Sequence, residues 1–183
     1  GFVGPNGCGK SVFFKTLCGY SLLTEGQVIY RGKIIGKEQD FIDDAGIVIE
    51  EPEFINSLSG LENLKILAEI QKKISEAEII EVLKQFDLYE DRNKKVGKYS
   101  VGMKQKLRLA QAVMEKPQVL ILDEPMNGLD KKSVKKVEDI LKAFVENGGT
   151  LLMTSHIEQQ VEACCKIVYE IDGGEILRVT VLQ

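Results

Sequence analysis

Residues Gly4-Pro5-Asn6-Gly7-Cys8-Gly9-Lys10-Ser11 make a glycine-rich loop that ends in Lys-Ser, and this loop constrains everything that follows it. Glycines 4, 7 and 9 open backbone conformations closed to other residues, so successive N–H groups can converge on one anion. Lys10 can reach the β- and γ-phosphates of a nucleoside triphosphate, and the Ser11 hydroxyl suits Mg2+. The segment Ser11-Val12-Phe13-Phe14-Lys15-Thr16-Leu17 reads as a helix that begins near Lys10. Its positive N-terminal end would face the same phosphates. A loop of this kind hangs from the end of a buried strand, and Gly1-Phe2-Val3 precede it here. The ligand expected is a nucleoside triphosphate with Mg2+.

Downstream, strands alternate with helices, which predicts an α/β fold: a mainly parallel central sheet flanked by helices. Gln27-Val28-Ile29-Tyr30 and Ile47-Val48-Ile49 read as short strands between glycine-containing turns. From Leu61 to about Met114 the apolar spacing becomes helical, as in Leu61, Leu64, Leu67 and Ala68. We read roughly 60–115 as a helical subdomain inserted in a single domain spanning 1–183. Val119-Leu120-Ile121-Leu122 is apolar throughout, the profile of a central parallel strand. A charged helix from Lys131 to about Glu146 stops at Asn147-Gly148-Gly149, and Thr150 to Thr154 reads as another buried strand. Val161 to Cys165 reads as helical. Ile167 to Ile171 and Glu175 to Val179 suggest a hairpin around Asp172-Gly173-Gly174.

Mg2+ beside such a loop calls for a carboxylate at the carboxyl end of a neighbouring buried strand. Asp123, directly after Leu122, meets that requirement. Glu124 is placed to polarise a water for attack on the γ-phosphorus. Other chemistry finds little material. A single His, no Trp, and four cysteines without a Cys-x-x-Cys pair leave no zinc pattern. Net charge is −4 at pH 7, so no nucleic-acid partner is expected. No apolar run approaches the about 18 residues of a membrane span. Adjacent Cys164 and Cys165 suit a reducing, cytoplasmic setting better than a disulfide.

Further segments complete a pattern. Tyr99-Ser100-Val101-Gly102-Met103-Lys104-Gln105-Lys106 opens an amphipathic helix ahead of Asp123. Asn127-Gly128-Leu129-Asp130 follows the acidic pair, and Thr154-Ser155-His156 carries the lone His. In this order and spacing the chain resembles the ATP-binding cassette (ABC) ATPase family over essentially its whole length. Gly4 to Ser11 match the family's Walker A motif, Leu120 to Glu124 its Walker B motif with the catalytic glutamate, and Asn127 to Asp130 its D-loop. His156 matches the switch histidine, and Ser100 to Met103 the signature. The resemblance implies that the segment Gly4 to Val12 (Gly4, Pro5, Asn6, Gly7, Cys8, Gly9, Lys10, Ser11 and Val12) binds ATP. It implies that Ser11 and Asp123 hold Mg2+, that Glu124 acts as base or water anchor, and that His156 contacts the γ-phosphate. It also implies that Ser100, Gly102 and Asp130 meet the ATP held by a second ABC subunit. Two chains would then sandwich two ATP molecules head to tail.

Three departures qualify the match. The signature keeps Ser100 and Gly102 but carries Val101 and Met103, which resembles a branch tied to antibiotic, lantibiotic or multidrug export. Glu50 stands where the family has a glutamine; as a carboxylate it is a candidate for contact with Mg2+ or the attacking water. The antiparallel strands that normally carry an adenine-stacking aromatic are not found ahead of Gly1. That pattern predicts an N-terminally truncated sequence, an exposed sheet edge, and weakened ATP binding by these residues alone.

The leading expectation is the Mg-dependent, ATP-hydrolysing subunit of a transporter, peripheral on the cytoplasmic face of the membrane. It would dock on transmembrane permease subunits through residues around Glu51 to Asn56. A non-transport ABC ATPase acting on ribosomes or DNA is the alternative; such chains carry paired cassettes or long coiled-coil insertions. A P-loop kinase or GTPase leaves Ser100 to Met103 and Glu124 without a purpose.

Overall fold

The structure is a computed structural model and describes residues 1–50 and 53–182. The order of elements is β1 (Phe2–Val3), α1 (Lys10–Cys18), β2 (Ile29–Tyr30), β3 (Lys33–Ile34), β4 (Ala45–Val48), α2 (Gly60–Gln71), α3 (Glu76–Gln85), a short 3-10 turn (Val96–Lys98), α4 (Val101–Val113), β5 (Val119–Leu122), α5 (Lys131–Glu146), β6 (Thr150–Ser155), α6 (Glu158–Cys164), β7 (Ile167–Asp172) and β8 (Glu175–Val181). Six strands form one sheet in the order β4-β5-β6-β1-β7-β8. All neighbours are parallel except the β7–β8 hairpin. The α/β class expected from the alternation of elements is the one observed.

Burial follows from the side-chain period of two. All four β5 residues are buried. Val119 and Ile121 join Phe2, Phe14 and Cys18 on the α1 side of the sheet. Leu120 and Leu122 join Val48, Leu107, Leu141 and Met153 on the other side. A strand covered on both faces has to be apolar throughout, which is why Val119 to Leu122 stood out in the sequence. Phe2 anchors the α1 side, stacked on Tyr169 at 5.1 Å and edge-on to Phe14 at 5.4 Å.

Several helix starts are written locally. Ser59 with Glu62 and Ser75 with Glu78 form reciprocal capping boxes that satisfy the first N–H groups of α2 and α3. Residues 60–114 follow β4 and precede β5 in the chain, yet β4 and β5 pair directly from Ala45↔Val119 to Val48↔Leu122. That register sets the strand at Ala45–Val48, two residues earlier than the Ile47–Ile49 reading began. Only Ile29 and Tyr30 of the expected 27–30 strand pair, with β3 in a separate two-stranded hairpin. Helix α6 begins at Glu158, three residues before the predicted start. The outer strand β8 leaves Ile176, Leu177, Val179 and Val181 exposed. No helix among the described residues is long and apolar enough to cross a membrane.

Helix α4 lies so close to β4 that Gly46 has no room for a side chain. A Cβ there would stand 1.9 Å from the Ala112 carbonyl oxygen and 2.8 Å from Leu120 Cδ2. Because the main obstacle is backbone, relief requires moving the helix. Gly46→Ala is expected to cost about 3 kcal/mol, which lowers the melting temperature by roughly 6–12 °C in a chain of this size. Differential scanning calorimetry checks this; an unchanged melting temperature would mean that α4 moves freely over the sheet.

Candidate functional site

Because β1, β5 and β6 are parallel, their carboxyl ends lie along one edge of the sheet. This is where open α/β sheets bind ligands. The glycine-rich loop leaves β1 there. Gly7 (φ 82°) and Gly9 (φ 106°) both take left-handed conformations, and Gly9 caps α1. Gly4 is required by crowding: a Cβ would lie 2.1 Å from the Ile171 carbonyl oxygen of the β7–β8 hairpin. The hairpin also braces the loop from its turn, where Gly174 N–H donates to the Cys8 carbonyl at 3.2 Å.

Asn6, Gly7, Gly9, Lys10, Ser11, Val12, Asp123 and Glu124 line a cleft of about 190 Å³. Lys10 is buried and folds back over the loop. Its ammonium donates to the carbonyls of Gly4 (2.8 Å) and Pro5 (3.0 Å) and lies 3.8 Å from Cys8 Sγ. The Ser11 hydroxyl donates to Asp123 Oδ2 at 2.5 Å. A hydroxyl and a carboxylate meeting at the start of a helix form a hard-oxygen pair suited to Mg2+, which keeps several waters and substrate oxygens in its shell. Among the described residues no group of three or more His, Cys, Asp or Glu could hold a metal unaided. The donor set therefore fits a cation that arrives with its phosphates.

Glu124 sits just past the strand in a left-handed conformation (φ 48°), unusual for a residue other than Gly, Asn or Asp. Its Oε2 lies 2.9 Å from His156 Nδ1, while its Oε1 is buried and has no partner. A buried carboxylate oxygen without a donor is costly and marks a place where a donor, such as a water, is wanted. His156 and Glu124 were placed together only by their order in the sequence; the fold brings them into contact.

The remaining predicted residues lie apart from this cleft. Ser100 caps α4, accepting from Met103 N–H at 3.2 Å, and Asp130 caps α5, accepting from Ser133 N–H at 2.9 Å. Donation from that N–H, and then from the Ser133 hydroxyl, holds the Asp130 carboxyl below its ordinary range. A Cβ on Gly102 would stand 3.1 Å from the Gly128 carbonyl oxygen, so the α4 start and the 127–130 turn form one surface. Glu50, also left-handed (φ 59°), pairs with Lys15 of α1 at 2.5 Å and does not line the cleft. Of the docking segment expected around Glu51 to Asn56, Glu51 and Pro52 lie outside the described residues. All four cysteines are free, and burial pushes the thiols of Cys18 and Cys164 up to about 11 and 12. Cys18 and Cys164 are therefore protonated at neutral pH and offer no thiolate.

Sequence reading passed over three side chains that tie the site together. Thr154 touches both Asp123 and Glu124. Gln105 of α4 donates to the Pro125 carbonyl at 2.8 Å and accepts from Arg108 at 3.1 Å. The polar pair Thr154-Ser155 closing a strand whose middle, Leu151 to Met153, is apolar was the available signal for Thr154. Nothing in the helical pattern distinguishes Gln105 from a solvated position.

Comparison with known proteins gives concordant results. A family model described as ABC transporter matches residues 1–127. An uncharacterized ABC transporter ATP-binding protein of Bacillus subtilis (strain 168) is 36% identical over 176 residues, covering 96% of this chain and 81% of the relative. A lantibiotic transport ATP-binding protein of Streptococcus pyogenes is 34% identical over 175 residues, covering 96% of this chain and 75% of the relative. Others are longer: the chain spans 59% and 60% of two further Bacillus subtilis relatives. Among solved structures, a dimeric ATP-binding cassette in a post-hydrolysis state bound to ADP and Pi superposes with a TM-score of 0.87. The match covers 100% of this chain and 84% of that one, and at 24% identity it speaks for the fold.

Proposed function

The chain belongs to the ABC transporter family, and from that premise we propose that it is the ATP-binding and hydrolysing subunit of a membrane transporter. The observation that carries this reading is the meeting of the Ser11 hydroxyl and the Asp123 carboxylate beneath the glycine-rich loop, with the Glu124–His156 pair alongside. In this reading the amides from Gly7 to Ser11 bind the phosphates of ATP, and Lys10 exchanges the Gly4 and Pro5 carbonyls for phosphate oxygens. Ser11 and Asp123 would hold Mg2+, which would supply charge neutralisation on the phosphates. Glu124 accepts the proton of the attacking water through its buried carboxylate oxygen. His156 turns from Glu124 to the γ-phosphate; a neutral imidazole can donate to one partner and accept from another. Glu50 reaches the water or the metal only on opening its ion pair with Lys15.

The separation of Ser100, Gly102 and Asp130 from the cleft supports a site completed in trans. The start of α4 presents free N–H groups and a positive helix end at the surface, suited to the γ-phosphate on a second copy. Permease subunits dock near the segment leading to α2, and the chain then lies peripherally on the cytoplasmic face of the membrane. The name of the Streptococcus pyogenes relative and the Val101 and Met103 changes favour peptide antibiotics as the transported class.

Light scattering on the intact protein tests the central claim. Saturating Mg-ATP is expected to convert monomers to dimers, and excess EDTA to reverse the change. A protein that binds Mg-ATP and remains monomeric would remove the sandwich from this reading.

A further inference from the structure

We propose that Thr154 is a positioning residue which, through one hydroxyl, fixes both the Asp123 carboxylate and the Glu124 main chain. The inference rests on the reading of Asp123 as metal ligand and Glu124 as base.

The sheet order explains why a residue on β6 can do this. Strand β6 lies between β5, which ends in the acidic pair, and β1, which ends in the loop. Leu122 pairs with Met153, and Phe2 pairs with Thr154. Thr154 therefore stands one step beyond the last β5–β6 pair, level with the strand that feeds the loop. It is fully buried. Its hydroxyl donates to Asp123 Oδ1 at 2.5 Å and accepts from Glu124 N–H at 2.9 Å.

Each bond restrains something the chemistry needs. Asp123 Oδ2 is taken by Ser11, so with Thr154 on Oδ1 both carboxylate oxygens are held from opposite sides. When the Ser11 hydroxyl turns to a cation, the Thr154 bond is the one that keeps the carboxylate in place. The second bond serves the left-handed turn at Glu124, which carries an energetic cost for a residue with a side chain. The Glu124 N–H lies beyond the last β5–β6 pair, and the threonine hydroxyl receives it. Two residues on, His156 meets the Glu124 side chain. Residues 154 and 156 thus hold the main chain and the side chain of one glutamate from the same strand end. Ser155 between them serves other groups, donating to Gln160 Oε1 and accepting from Ile157 N–H.

A hydroxyl that donates and accepts at once has one close substitute, serine. Valine keeps the size of threonine and removes both bonds. In the nucleotide-free intact protein, Thr154→Val is expected to speed hydrogen exchange at the Glu124 amide by about 3–10-fold, the factor that the net contribution of one hydrogen bond corresponds to in a local opening. The Mg2+ concentration for half-maximal ATP turnover should rise by about 10–100-fold, the range typical for loss of an outer-shell partner. ATP affinity measured in EDTA should not change, because the loop and Lys10 are untouched. Thr154→Ser should keep the values of the unaltered protein. Unaltered exchange and Mg2+ dependence in Thr154→Val would overturn the proposal. So would a Thr154→Ser protein as impaired as Thr154→Val, since methyl packing would then be the cause. If the unaltered protein binds no Mg-ATP, the functional reading falls, while the amide exchange still decides whether Thr154 holds Glu124.

Discussion

Glu124→Gln is expected to slow ATP turnover by about 10³-fold, within the range a positioned general base contributes, while leaving ATP bound. Glutamine keeps the length and planarity of the side chain, so the fold around it has little reason to change. The left-handed backbone at this position has Thr154 on its N–H and the Asn127 N–H on its carbonyl, neither of which involves the carboxylate, and it is expected to survive the substitution. What disappears is the ability to take a proton. In the structure, Glu124 Oε2 faces His156 and Oε1 is buried with an unused acceptor site. That second oxygen is where a water would donate a hydrogen bond on its way to the γ-phosphorus. An amide in its place accepts a hydrogen bond through oxygen but does not become protonated at neutral pH. Nucleotide binding depends on other groups, the loop amides, Lys10, Ser11 and Asp123, and should persist. The variant should therefore accumulate as an ATP-bound dimer, visible as a doubled mass by light scattering in Mg-ATP. A variant that turns over within about tenfold of the unaltered protein would remove Glu124 from the role of base.

The glycine-rich loop, the apolar β5 and the acidic pair were legible because each is dictated locally. A loop around phosphate needs glycine where φ is positive, as at Gly7 and Gly9. A strand covered on both faces must be apolar, as Val119 to Leu122 are. Contacts between distant segments left weaker traces. Thr154 reaches Asp123 because β6 happens to lie between β5 and β1, and strand order is not written in any one segment. The Glu124–His156 contact depends on the same order. Glu50 illustrates the opposite case: it was singled out as a carboxylate near the nucleotide, and the fold supplies Lys15, one turn along α1 from Ser11, to neutralise it. Helical periodicity marks Gln105 as one position among many, and its contact with the Pro125 carbonyl, 20 residues on, arises only in the fold.

Lys10→Ala is expected to raise the Kd for Mg-ATP by about 100-fold, equivalent to about 2.7 kcal/mol, the size of a charge-assisted bond to a phosphate in a sheltered site. Its effect on the nucleotide-free protein is separable from this. There the buried ammonium bridges the Gly4 and Pro5 carbonyls, and its removal unties the first half of the loop. We expect a loss of about 2 kcal/mol, or roughly 4–8 °C in melting temperature. Ligand-induced stabilisation then reports binding alone. At an ATP concentration of about 100 times its Kd, the unaltered protein should gain about 2.7 kcal/mol, roughly 5–10 °C. At that same concentration the variant sits near its own Kd, and it should gain only about 0.4 kcal/mol, or roughly 1 °C. Thermal melts of both proteins, with and without Mg-ATP, measure the two effects side by side. A lowered baseline with the full ATP-induced rise would leave Lys10 as a brace for the loop, with the phosphates held by the backbone amides alone. A vanished rise ties the same ammonium to both states. It closes the loop on itself when the site holds no anion, and it turns outward to the triphosphate when one arrives.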